Sequence, residues 1–137
     1  MSARLQKTGF HIMLDLNNGM PVYRQIMDQV RGAIASGAVT AGDQLPTVRQ
    51  LAVDLQVNPN TIVRAYRELE FGGLIETQQG TGTFISAQKM KRPDAERERQ
   101  LAQIVGDCVA HAGAAGFTVD ELIEQLRGFS AETPRKR

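Results

Sequence analysis

TVRQLAVDLQVNPNTIVRAYRELEFGG, Thr47 to Gly73, holds two helix signatures almost end to end. Thr47 and Gln50 stand at capping-box spacing, with Val48, Leu51, Ala52 and Leu55 recurring at helical intervals behind them. Asn58 then suits an N-cap and Pro59 the first helical position, where a missing N–H costs nothing. Ile62, Ala65, Tyr66 and Leu69 fall on one side of this second helix; Asn60, Thr61, Arg64 and Arg67 fall on the other. Gly72 and Gly73 stop it. A link this short forces the two helices to cross steeply, the helix-turn-helix arrangement.

The flanks extend the pattern. HIMLDL (His11–Leu16) alternates weakly and runs into NNG, so a short strand is expected there. Pro21 opens a helix with Val22, Tyr23, Ile26, Met27, Val30, Ala33 and Ile34 on one face, closed by Gly37. TAGDQLP reads as a loop. Beyond Gly73, LIET, QQGTG and TFIS read as strand, turn and strand. Ile75, Phe84 and Ile85 are placed to anchor this hairpin on the core, with Gln79 to Gly82 out in solvent.

At QKMKRPDAERERQ the chain shifts to alternating charge, a linker followed by a solvated helix start. Leu101, Ile104, Val105 and Cys108 form that helix's apolar stripe until GAAG ends it. FTVDELIEQLRG restarts with Thr118 and Glu121 as a capping box, then Val119, Leu122, Ile123 and Leu126. The expected fold is mainly α with a small β-hairpin. A winged helix-turn-helix spans residues 10–87, a two-helix region spans 88–130, and a disordered tail spans 131–137.

Composition narrows the function. With 42% hydrophobic content and no Trp, the core should be aliphatic. No apolar run approaches the roughly 18–20 residues of a membrane span and no signal-peptide pattern opens the chain, which points to the cytoplasm. Cys108 is the one cysteine, so no intrachain disulfide forms; on an apolar stripe it reads as a core residue. His11 and His111 have no ligand-spaced neighbours, and GTG lacks the Gly-Lys-Ser/Thr ending of a phosphate loop. No nucleophile–base set stands out, so neither an enzyme nor a cofactor is expected. The formal net charge is only +1, and residues 1–87 carry seven basic and seven acidic side chains. Nucleic-acid binding would then rest on where charges sit, not on bulk basicity.

The placement is familiar. LPTVRQLAVDLQVNPNTIVRAYRELEFGGLIETQQGTGTFI, Leu45 to Ile85, closely resembles the DNA-binding domain of the GntR family of bacterial transcription regulators. PVYRQIMDQVRGAIASGAVTAGDQLP looks like that domain's first helix and following loop, so the likeness runs from about residue 10 to 87. The NPNT helix start and short tail resemble the YtrA-type subfamily, in which two C-terminal helices serve dimerisation. What the resemblance implies is a homodimeric regulator, most simply a repressor, bound to an inverted-repeat operator in double-stranded DNA.

Carried over position by position, the resemblance sets Arg49 against phosphate, where a guanidinium's fork of donors fits. Asn58, Asn60, Thr61 and Arg64 become the recognition set, with Val63 beside them for a thymine methyl. Asn58 carries two readings, cap and DNA contact, and the sequence does not choose. No apolar neighbour on the helix explains Asn60 or Arg64, whereas Arg67 reads as paired with Glu70 or solvated. Gln79, Gly80, Thr81 and Gly82 form the wing tip, where glycines let backbone N–H groups approach phosphate or the minor groove. Thr81 stands where many family members carry a basic residue.

The tail's two stripes, Leu101, Ile104, Val105 and Cys108 with Val119, Leu122, Ile123 and Leu126, are wider than either helix can cover and form the expected dimer interface. Two short helices leave little room for a pocket of about 300 Å3 or more, so a small-molecule effector is not expected unless it binds at the dimer interface. The rival reading is a winged-helix module that docks protein through its third helix. Such a face should carry aromatic or Leu anchors rather than Arg49, Asn60 and Arg64.

Overall fold

The computed structural model of the protein describes residues 2–4, 10–87 and 94–130. The chain divides into two units, 1–89 and 90–137. The linker at 88–93 and the tail at 131–137 lie outside the described residues.

In the first unit β1 (Ser2–Arg4) pairs antiparallel with β2 (His11–Met13), Ala3 opposite Ile12. The strand expected over residues 11–16 thus ends at Met13, because the chain turns early. Asn17 and Met20 donate backbone N–H groups to the Asp15 and Asn18 side chains, which builds a turn out of the NNG signal. Helix α1 (Val22–Ser36) follows Pro21 and is closed by Gly37 at φ +83°. Its buried face includes one polar residue that the apolar pattern passes over. The Gln25 amide accepts from Asp15 N–H and donates to the Asp15 and Met20 carbonyls, all at 2.9 Å, tying the turn to the helix.

Helix α2 (Val48–Leu55) starts as expected, Thr47 accepting from Gln50 N–H at 3.0 Å. The reciprocal arm of that box is missing because the Gln50 side chain donates to Asp54 instead, at 3.1 Å. Gln56, at φ +60°, ends α2, and helix α3 (Pro59–Phe71) begins three residues later. Asn58 caps α3 by accepting from Asn60 N–H at 2.7 Å. Ile62, Ala65, Tyr66 and Leu69 are its buried residues, packed with Leu51 and Leu55 of α2 and with Ile26 and Val30 of α1. Both other helices pack on α3. Burying each such Leu or Ile is worth roughly 1.5–3 kcal/mol, which fixes the face that α3 turns away from the core.

A three-stranded antiparallel sheet in the order β3-β5-β4 completes the unit. The hairpin is β4 (Ile75–Gln78) and β5 (Gly82–Ile85); β3 (Gln44–Leu45) lies in the segment expected to be loop. A strand of two residues has no period to read; it exists because Leu45 enters the core while Gln44 and Leu45 pair with Phe84 and Thr83. Ile75 and Ile85 anchor the hairpin as expected. Phe84 does not. Strand alternation turns it to the face opposite Ile85, where it is only half-buried and outside the core cluster.

Tyr66 ties the helix-turn-helix to this sheet. Its hydroxyl donates to the Pro46 carbonyl at 2.6 Å in a buried setting, between β3 and the start of α2. Burial pushes the phenol well above its ordinary value of 10.0. Above pH 10 the unfolded chain releases this proton while the folded chain keeps it, so stability falls as pH rises through that range. Tyr66→Phe should cost about 1–3 kcal/mol at neutral pH, since it strands a buried carbonyl. The variant's stability should also decline less steeply than the wild type's above pH 10. Denaturant melts at neutral and alkaline pH check both; equal alkaline slopes would remove Tyr66 as the source.

The second unit holds α4 (Asp94–Ala114) and α5 (Val119–Arg127). Gly116 at φ +93° turns the chain between them. Thr118 and Glu121 form both arms of the expected capping box. Among the described residues of this unit only Ala112 is buried. Cys108, expected in a core, is exposed. The 9 residues of α5 are too few to cover the stripe along the 21 residues of α4. No described helix is long and apolar enough to cross a membrane.

Candidate nucleic-acid interface

The front of α3 is an open polar surface. With its apolar face held by the core, Asn58, Asn60 and Arg64 are exposed and Thr61 and Val63 half-exposed. Asn58 uses its side-chain oxygen in the cap, leaving the amide N–H2 to face outward. The Asn60 side chain takes no partner among the described residues. Arg49, on α2, is exposed, and among the described residues it forms no ion pair; Asp54, its nearest candidate, is engaged by Gln50. Arg67 is exposed and likewise outside the ion pairs of the described residues, so of its two expected settings, paired with Glu70 or solvated, it takes the solvated one.

Arg64 has a neighbour that helix spacing did not reveal. Its guanidinium carbon lies 3.7 Å from the centroid of the Tyr23 ring, contributed by α1. The apolar contact comes from another helix, so no interval within α3 signals it.

The wing presents Gln79, Gly80 and Thr81 in the open, with Gly80 at φ +80° and Thr81 N–H closing the turn onto Gln78 O at 2.9 Å. Gly82 opens β5 at φ +137°, a conformation that side-chain-bearing residues rarely adopt. Gln44 of β3 donates from its side chain to Thr81 O at 3.3 Å and braces the tip from below. A Cβ on Gly82 would come within 2.5 Å of that Gln44 nitrogen. Gly82→Val should therefore break the brace and strain the strand, at a local cost of roughly 1–3 kcal/mol. Duplex affinity should fall while the thermal transition of the first unit survives. Unchanged affinity would make the wing a bystander.

In the second unit Leu101, Ile104, Val105, Cys108, Val119, Ile123 and Leu126 are exposed, and Leu122 alone of the expected interface set is half-covered by its own chain. Val109, Phe117 and Phe129 add to the exposed apolar surface. Val109 follows Leu101, Ile104, Val105 and Cys108 at the next helical step and was legible from that spacing.

This architecture has relatives. Residues 22–85 match the family model for bacterial regulatory proteins of the gntR family. YhcF of Bacillus subtilis, an uncharacterized HTH-type transcriptional regulator, is 36% identical over 110 residues, spanning 80% of this chain and 90% of YhcF. The HTH-type transcriptional repressor YtrA of Bacillus subtilis is 34% identical over 121 residues, spanning 88% of this chain and 93% of YtrA. Among solved structures, YtrA from Sulfolobus acidocaldarius, a GntR-family transcription factor, superposes with a TM-score of 0.56 at 32% identity, covering 72% of this chain and 97% of that one. The likeness runs through the helix-turn-helix and on into the helical tail, so the chain belongs to the GntR family of DNA-binding transcription regulators, and within it to the YtrA type.

Proposed function

We propose that this protein acts in the cytoplasm as a homodimeric repressor that covers a promoter by binding an inverted-repeat operator. Residues 10–87 serve as the DNA-binding domain and 88–130 as the dimerisation region. The observation that carries the reading is the front of α3, a helix start with a buried apolar side and an outward set of polar side chains that keep donors to spare: the Asn60 amide, the Asn58 N–H2 beyond its cap bond, and the Arg64 fork, which touches Tyr23 only through its face.

Asn60 is the residue suited to a bidentate adenine contact, since both ends of its amide are unengaged. Asn58 suits phosphate better, because its oxygen already serves the cap. Arg64 takes guanine, Thr61 a phosphate or a thymine methyl, and Val63 a thymine methyl. Arg49 and the tip of the wing, Gln79 to Gly82, take phosphates on either side of α3. Two-fold symmetry presents two such helices, so the operator should mirror them. The exposed stripes of α4 and α5 supply the surface that a second copy buries.

Selecting bound fragments from genomic DNA tests the reading, followed by salt titration on the site recovered. Inverted repeats with an affinity that falls as salt rises support it. Single asymmetric sites, or salt-independent binding to protein rather than duplex, overturn it. The docking-module alternative has little to use, for the one large apolar side chain exposed on α3 is Phe71, at the end far from Asn60.

A further inference from the structure

We infer that Tyr23 is a positioning residue for sequence reading: its ring is the shelf on which the Arg64 guanidinium is laid out before DNA arrives. The inference rests on the proposed role of Arg64 as a base-reading residue. Three observations carry it. The guanidinium carbon stands 3.7 Å from the ring centroid, in contact with the ring face. That contact uses the π cloud and none of the N–H donors, so the fork remains free to meet a guanine edge. The shelf itself is fixed, because Tyr23 packs against the core from the first turn of α1 and Gln25, two residues on, ties that turn to residues 15–20.

An unsupported arginine on an exposed helix face samples many rotamers and must give them up on binding. Resting on Tyr23, Arg64 has given up part of that freedom already, and preorganisation of this kind appears as affinity and as discrimination between bases. The phenolic oxygen has no part in the mechanism; the ring does.

The test uses the full-length protein and the operator recovered by fragment selection. Tyr23→Leu should weaken operator binding by about 2- to 5-fold per half-site, the range an exposed cation–π contact supports, and so by about 5- to 30-fold for the dimer. It should leave non-specific duplex affinity unchanged. Tyr23→Phe keeps the ring and should bind like wild type. In an Arg64→Ala background Tyr23→Leu should cost nothing further, as a positioning role requires. Equal losses with and without Arg64 would overturn the proposal, as would a Tyr23→Leu protein that binds and discriminates like wild type. If Arg64→Ala itself binds the operator normally, the base-reading role falls and the shelf with it. If Arg64→Ala loses specificity and Tyr23→Leu does not, only the shelf falls. The free wild-type protein gives a readout that no variant's folding can obscure. Its Arg64 side-chain Nε–Hε resonance should be ring-current shifted and ordered, and an averaged, unshifted resonance would overturn the proposal.

Discussion

An Ile104→Asp chain should sediment as a monomer, and its operator affinity should fall by about 10²–10⁴-fold, the gain that linked half-sites draw from effective concentration. Ile104 is 65% exposed in the single chain, so a charge there meets water in the monomer and a neighbour's apolar surface only in the dimer. This makes it a cleaner probe than Leu122, which its own chain already half-covers and whose replacement would mix lost stability with lost association. The first unit keeps its core, so the monomer should retain a cooperative thermal transition and weak, salt-dependent duplex binding. A stable dimer binding operator at wild-type strength would place the interface elsewhere.

Arg64→Ala and Arg49→Ala should fail in different ways. Removing a base-reading arginine costs about 1–3 kcal/mol at the operator, and in a symmetric dimer the loss occurs twice. Discrimination at one base pair per half-site should relax, while non-specific binding stays near wild type. Arg49→Ala should weaken all sequences alike and flatten the salt dependence by about one unit of slope per subunit. Competition binding against operators altered base by base, repeated at several salt concentrations, separates the two. If both variants bind like wild type, the front of α3 is not the reading surface.

Helix faces were open to reading because their information is local. Ile62, Ala65, Tyr66 and Leu69 repeat at the period of the helix they build, and all four are buried. Thr47, Asn58 and Thr118 cap the helices they precede, since a cap needs only a side chain near its own backbone. What stayed hidden were partners distant in sequence. Gln25 is one polar letter on an apolar face until Asp15 and Met20 come round to meet it. Gln44 reaches the wing, and Tyr23 reaches Arg64, through tertiary packing that no interval encodes. Phe84 shows the opposite failure: an apolar side chain was assigned to the core when strand alternation sends it to the other face. The interface stripes in the tail and the DNA contacts share a further limit, because what would complete them belongs to a second molecule.

That Ala112 is the single buried side chain among the described residues of the second unit has a thermodynamic consequence. Two helices of 21 and 9 residues that bury only Ala112 carry almost no folding free energy of their own. In the proposed dimer most of their stability is borrowed from association, and so depends on how much protein is present. Diluting the protein should lower the melting temperature of these helices while the winged unit, with a complete core, melts where it did before. Assembly and the ordering of the tail then become one equilibrium, and the concentration at which the regulator grips both half-sites is also the concentration at which its C-terminal helices fold.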